Sequence, residues 1–164
     1  MTGRLAIGLA LLVTPAHALE IDPPMRRGEY PLYFAEVTRV IDGDTLSVEV
    51  SLWPGLTIET DIRLRGIDAP EVSRTGCEEE AVWGEEASAW LANAYPAGTQ
   101  VRIEEIGEGT FAGRTIARVS RWDGTGWLGA GDELMARDLA VPWTPDMDAV
   151  PWCLLAQTRE APAE

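Results

Sequence analysis

From Tyr33 to Ile41 the chain is rich in aromatic and β-branched residues, and beyond it Leu46, Val48, Val50 and Leu52 alternate with mostly polar neighbours. A period of two sends successive side chains to opposite faces of a strand, so two strands are expected, joined through the corner "VIDGDT" at 40–45. After a "WPG" turn at Trp53–Gly55, the residues Ile58, Thr60, Ile62 and Leu64 mark one face of a third strand, and Arg63 and Arg65 fall on the other. If strands two and three pair antiparallel, Leu46 lies near Leu64. Asp44 then comes to the end of the sheet where strand three finishes, close to Asp68.

The period changes in "EEEAVWGEEASAWLANAY", where Trp83, Ala87, Trp90, Leu91 and Ala94 share one side of a helix and acidic residues crowd the first turn. Pro96 and Gly98 stop it. A fourth strand is expected at Val101–Ile106, and a glycine-rich loop, "GEGTFAG", leads to a fifth. In that strand Thr115, Ala117 and Val119 share one face, and Arg114, Ile116 and Arg118 the other. A "DGTG" turn precedes a short helix expected over Glu133–Leu139 with Asp132 as its cap. Residues 19–32, rich in proline and charge, read as an extended lead-in, 33–155 as the folded domain, and 156–164 as a disordered tail. Such an order of elements, with frequent turns, fits an α+β protein built on a small barrel with helices packed on it. The five-stranded oligonucleotide/oligosaccharide-binding (OB) barrel is one such architecture.

The first eighteen residues carry one arginine, an apolar run from Leu5 to Val13, Pro15, and small residues at Ala16 and Ala18, the pattern of a signal peptide with an A-x-A cleavage site. The run is half of the roughly 20 residues needed to cross a bilayer. Export to a periplasm or the medium is therefore expected, with no stable membrane association after cleavage. His17, the chain's one histidine, leaves with the leader, and the sequence contains no lysine. A Ser-His-Asp triad, histidine-ligated zinc, Schiff-base lysine and P-loop lysine are thereby excluded from the mature protein. Carboxylates, arginines, backbone and bound ions must supply the chemistry. The formal net charge of −14 argues against loose adhesion to nucleic acid or acidic lipid. Cys77 and Cys153, the two cysteines, read either as a disulfide suited to an oxidising compartment or as two buried thiols.

Aspartates around a glycine are ordinary turn formers, and "DGD" alone supports no more than a bend. Two aspartates, Asp44 and Asp68, brought together with a backbone carbonyl would nonetheless suit a hard, oxygen-seeking cation such as calcium. In so acidic a chain, Arg63 and Arg114 near such a cation would make a seat for a phosphodiester.

Four stretches in order, "VIDGDT", "RLRGIDAPE", "WGEEASAWL" and "AGRTIARV", resemble the successive motifs of the staphylococcal nuclease-like (thermonuclease) family, over Tyr33 to Trp143. The resemblance implies a five-stranded OB barrel with about three helices and calcium-dependent cleavage of DNA and RNA phosphodiesters. Matched by motif, Asp44 and Asp68 correspond to the side-chain ligands of Ca²⁺, the carbonyl of Ala69 to the backbone ligand, and Asp42 to a carboxylate beside the ion. Glu71 corresponds to the group that orients and deprotonates the attacking water, and Arg63 and Arg114 to the pair that grips the phosphate. The expected partner is DNA or RNA substrate, and the expected state a monomer. A noncatalytic OB-fold module that binds nucleic acid or protein is the competing expectation.

Overall fold

The computed structural model describes residues 30–109 and 114–159. The leader, most of the lead-in and the "TFAG" of the glycine-rich loop lie outside them. In chain order the elements are β1 (Tyr33–Val40), β2 (Thr45–Trp53), β3 (Leu56–Leu64), β4 (Ile67–Asp68), α1 (Glu78–Ala94), β5 (Gln100–Glu108), β6 (Thr115–Trp122), β7 (Trp127–Gly129), α2 (Ala130–Met135), β8 (Val141–Pro142) and α3 (Trp152–Arg159). Antiparallel pairing runs β3-β2-β1-β5-β6, and a parallel pairing of β3 with β6 closes the ring. Among the described residues the result is a closed five-stranded barrel with three helices, the OB-type α+β fold. Closure leaves the five main strands without a free edge.

The alternation read from the sequence is what fills the interior. Leu46, Val48, Ile62, Val101, Ile103, Ala117 and Val119 point inward and are buried, and Ala87 and Leu91 of α1 complete the same core. The end of α1 is where proline and glycine place it: Tyr95 donates its N–H to the Leu91 carbonyl (2.8 Å), and Gly98 turns the chain with φ +89. Tyr95 is itself fully buried, its hydroxyl donating to Glu133 (2.9 Å), which Arg121 also holds (2.7 Å).

Several expectations are corrected. β2 and β3 pair with Leu46 opposite Ile62, not Leu64. The offset is two residues, so inward and outward faces are preserved, and the Asp44 carbonyl accepts the Leu64 N–H at 2.8 Å. The fourth long strand extends beyond Val101–Ile106 to both sides, with a register shift between Glu104 and Gly107 where Glu105 has φ 54. The second helix spans Ala130–Met135 instead of Glu133–Leu139, with Gly129 at its cap and Asp132 inside its first turn, paired with Arg118. Burial of Ala130 and Leu134 draws its start forward, and Leu139 closes its end by donating to the Leu134 carbonyl (3.0 Å). The last helix runs to Arg159, so residues 156–159 are helical where a disordered tail is expected from composition. Its buried Trp152 and Ala156 pack against the domain, and Arg159 pairs with Glu86 of α1 (2.8 Å). Among the described residues no helix is long and apolar enough to cross a membrane.

Candidate active site

The corner between β1 and β2 bends through residues 42–44 with the Asp44 N–H donating to Asp42 Oδ1 (3.1 Å). Gly43 is expected to be there because the chain must bend, yet it does not have a positive φ. A Cβ on it would sit 2.9 Å from the Cβ atoms of both Ala69 and Ala87. The residue is needed so that the corner can slot between the segment after β4 and the side of α1. That close approach carries Asp44 into the protein, where it is 4% exposed.

Three donors meet its carboxylate. Thr45 Oγ1 donates at 2.9 Å, the Ala69 N–H at 3.3 Å, and Arg63 Nη1 spans both oxygens at 2.9 and 2.8 Å. The other terminal nitrogen of Arg63 reaches Asp68 Oδ1 at 2.5 Å. One guanidinium, on the outward face of β3 as the strand period requires, therefore bridges an aspartate from the corner and an aspartate from β4. Beneath it lies the ring of Trp143, 5.9 Å from the guanidinium carbon. The second oxygen of Asp68 accepts the Trp152 Nε1–H at 2.9 Å. Burial pushes the Asp44 carboxyl well above the usual carboxylate range, and Asp42 adds to this while Arg63 pulls the other way. So buried a carboxylate among other carboxylates creates demand for positive charge.

Asp42, Gly43, Asp44, Ala69, Pro70 and Glu71 line one small cleft. Glu71 stands at its rim, exposed, and its carboxyl is raised first by desolvation and next by Asp42, with Arg63 opposing. Its backbone is set by α1: a Cβ at Gly84 would lie 2.3 Å from the Glu71 carbonyl oxygen and 2.8 Å from that of Pro70. The glycine inside "WGEEAS" thus lets the helix and the Pro70–Glu71 segment touch. The side-chain donors of this cleft are all carboxylate oxygens, from Asp42, Asp44 and Glu71, with Asp68 held next to Asp44 through Arg63, and such a set fits a hard divalent cation.

Arg114 is not brought into this cluster. It is exposed at the start of β6, on the rim of a cavity of about 580 Å³ lined by apolar residues such as Val50, Ile58 and Ile103. Cys77 and Cys153 form a disulfide with their Cα atoms 5.8 Å apart, and Glu80 lies against it, accepting the Gly76 N–H at 2.8 Å. These three residues place their ligand atoms within 4.8 Å of one another, but the sulfurs are bonded to each other and leave no thiolate for a metal.

Three residues around the cluster escape sequence reasoning: Thr45, Trp143 and Trp152. Thr45 directly follows Asp44, and Trp152 directly precedes a bridged cysteine, so adjacency was the available signal for both. Nothing in the sequence points to Trp143.

Residues 61–137 match a family model described as staphylococcal nuclease homologue. That segment contains Arg63, Asp68, Ala69, Glu71 and Arg114, while Asp42 and Asp44 precede it. No curated protein matches the chain.

Proposed function

The chain belongs to the staphylococcal nuclease-like family, and from that membership we propose that it is an exported, calcium-dependent nuclease that hydrolyses phosphodiester bonds of DNA or RNA. The observation that carries the reading is the bridge itself: Asp44, Arg63 and Asp68 come from three elements to one place, beside Glu71. Asp44, Asp68 and the carbonyl of Ala69 would hold Ca²⁺, with Asp42 alongside. When bound, the ion would supply a Lewis acid for a phosphoryl oxygen.

The chain's own residues account for the rest. Glu71, at the rim and with a raised carboxyl, accepts the proton of the attacking water. Arg63 keeps Asp44 and Asp68 together and, released from one of them, donates to the phosphate. Arg114 stands outside the cluster at the start of β6, and a phosphate seated between the two would draw its exposed guanidinium in from the other side. Two guanidinium groups stabilise a transition state that carries more charge than the ground state. Export through the leader places the protein in an oxidising compartment, in keeping with the Cys77–Cys153 bridge.

The test uses the oxidised protein from Leu19 to Glu164 with single- and double-stranded DNA and RNA, in calcium or in chelator. Cleavage is expected with calcium alone, and Glu71→Gln is expected to slow it by about 100-fold or more, as for removal of a single catalytic donor. Cleavage that persists in chelator, or is unchanged in Glu71→Gln, would defeat the reading. Because both ends of the Arg63 guanidinium are engaged by aspartates, a noncatalytic binding module is the second reading. Retention of oligonucleotide without cleavage would favour it.

A further inference from the structure

The outermost helix reaches the candidate cation site through one atom. Trp152 opens α3, is 5% exposed, and packs its ring edge-on against Trp83 of α1 with centroids 5.0 Å apart. Its Nε1–H is used on Asp68 Oδ2, at 2.9 Å. With Oδ2 so held, Oδ1 is the oxygen turned toward Arg63 and Asp44. The indole therefore fixes which face of this carboxylate looks into the cluster.

What fixes the indole is the next residue. Cys153 is bonded to Cys77, the residue before the first turn of α1, six positions after Glu71. An eight-residue helix has too few turns to hold itself together in water and depends on tertiary anchors. The covalent anchor lies at the end of α3 that carries Trp152, and the Arg159–Glu86 ion pair at the far end is exposed and weak. At the bridge the fit is close: a Cβ on Gly76 would lie 3.0 Å from Cys153 Sγ.

We infer that Trp152 is a positioning residue for Asp68, and that the Cys77–Cys153 disulfide holds it in place, so that cation binding at Asp68 depends on the oxidised state of the chain. The inference rests on the reading of Asp68 as a cation ligand. Groups that orient a metal-ligating side chain through a hydrogen bond are worth about 10- to 100-fold in metal affinity.

Calcium titration calorimetry on the oxidised Leu19–Glu164 protein decides it, with thermal melting in chelator as the structural control. Trp152→Phe keeps the ring against Trp83 and removes the donor. It is expected to weaken calcium binding about 10- to 100-fold with a melting temperature close to that of the parent. The double variant Cys77→Ala, Cys153→Ala is expected to lose a similar factor with Trp152 present, and adding Trp152→Phe to it is expected to cost nothing more. If Trp152→Phe binds calcium as the parent does, its positioning role is overturned. If its full effect persists without the disulfide, the dependence on oxidation is overturned. Should the cysteine-free chain fail to fold, the same comparison is made on parent and Trp152→Phe, oxidised and after mild reduction by a dithiol. A parent protein that binds no calcium removes the reading of the site together with this inference, whereas a parent that binds and a variant that binds equally remove this inference alone.

Discussion

Arg63 serves two aspartates at once, and only 18% of its side chain is exposed. Taking away one partner of a buried ion pair leaves the other charge desolvated and uncompensated, which costs about 3 kcal/mol or more. Arg63→Gln is therefore expected to lower stability in chelator by about 3 kcal/mol in urea unfolding, and added calcium to restore part of that loss. A variant as stable as the parent would mean that Asp44 is not ionised against Arg63. Much of this cluster was legible residue by residue, because Asp44, Arg63 and Asp68 sit in short motifs whose strand period places them. Gly43 was legible in identity and not in cause: a bend was expected, and the tight fit against Ala69 and Ala87 is the reason for it. Contacts of that kind join residues far apart in sequence and leave no local pattern.

At the scale of elements, the contact of α1 with the Pro70–Glu71 segment sets the height of the candidate base. Gly84→Ala gains about 1 kcal/mol of helix propensity. It also puts a Cβ 2.3 Å from the Glu71 carbonyl oxygen, which is backbone and cannot swing away. Forced overpacking costs typically about 1–3 kcal/mol, so the net change is expected to be destabilising. Cleavage is expected to fall further than stability, since Glu71 moves with its backbone. Denaturation midpoints and initial rates on one preparation check both, and an unchanged rate would show that the segment relaxes elsewhere. The helix itself was read correctly from its period. Its glycine was not, because a small residue on a helix face says nothing about what approaches it. α2 was misplaced and α3 was not placed at all for a related reason: each is short, and its bounds come from what it packs on, Leu134 in one and Trp152 in the other.

The whole molecule is strongly acidic, with a formal charge of −14, and the substrate proposed for it is a polyanion. A basic protein loses affinity for nucleic acid as salt rises. Here the long-range term is repulsive, and raising ionic strength from about 10 mM to 0.1 M shortens the Debye length from about 30 Å to about 10 Å. kcat/KM for DNA cleavage at saturating calcium is expected to rise over that range. A steep fall instead would show that locally clustered arginines outweigh the global field. The disulfide also belongs to this scale, since it spans 76 positions and ties the end of the domain to the segment that leaves the candidate site.

By itself the sequence determined the strands, the main helix, their inward faces and the residue types of the candidate site, because alternation, helical period and turn chemistry are local properties of the chain. It also determined an exclusion, since a chain without lysine removes every lysine-based mechanism whatever the fold, and its single histidine, His17, lies in the stretch expected to be cleaved. Tertiary structure decided the rest: that β3 and β6 run parallel to close the barrel, that one arginine joins two aspartates, and that the last helix reaches back to Asp68 through Trp152 and a disulfide. Each of these pairs residues distant in sequence, and such pairing is set by packing of the whole core and not by any neighbour along the chain.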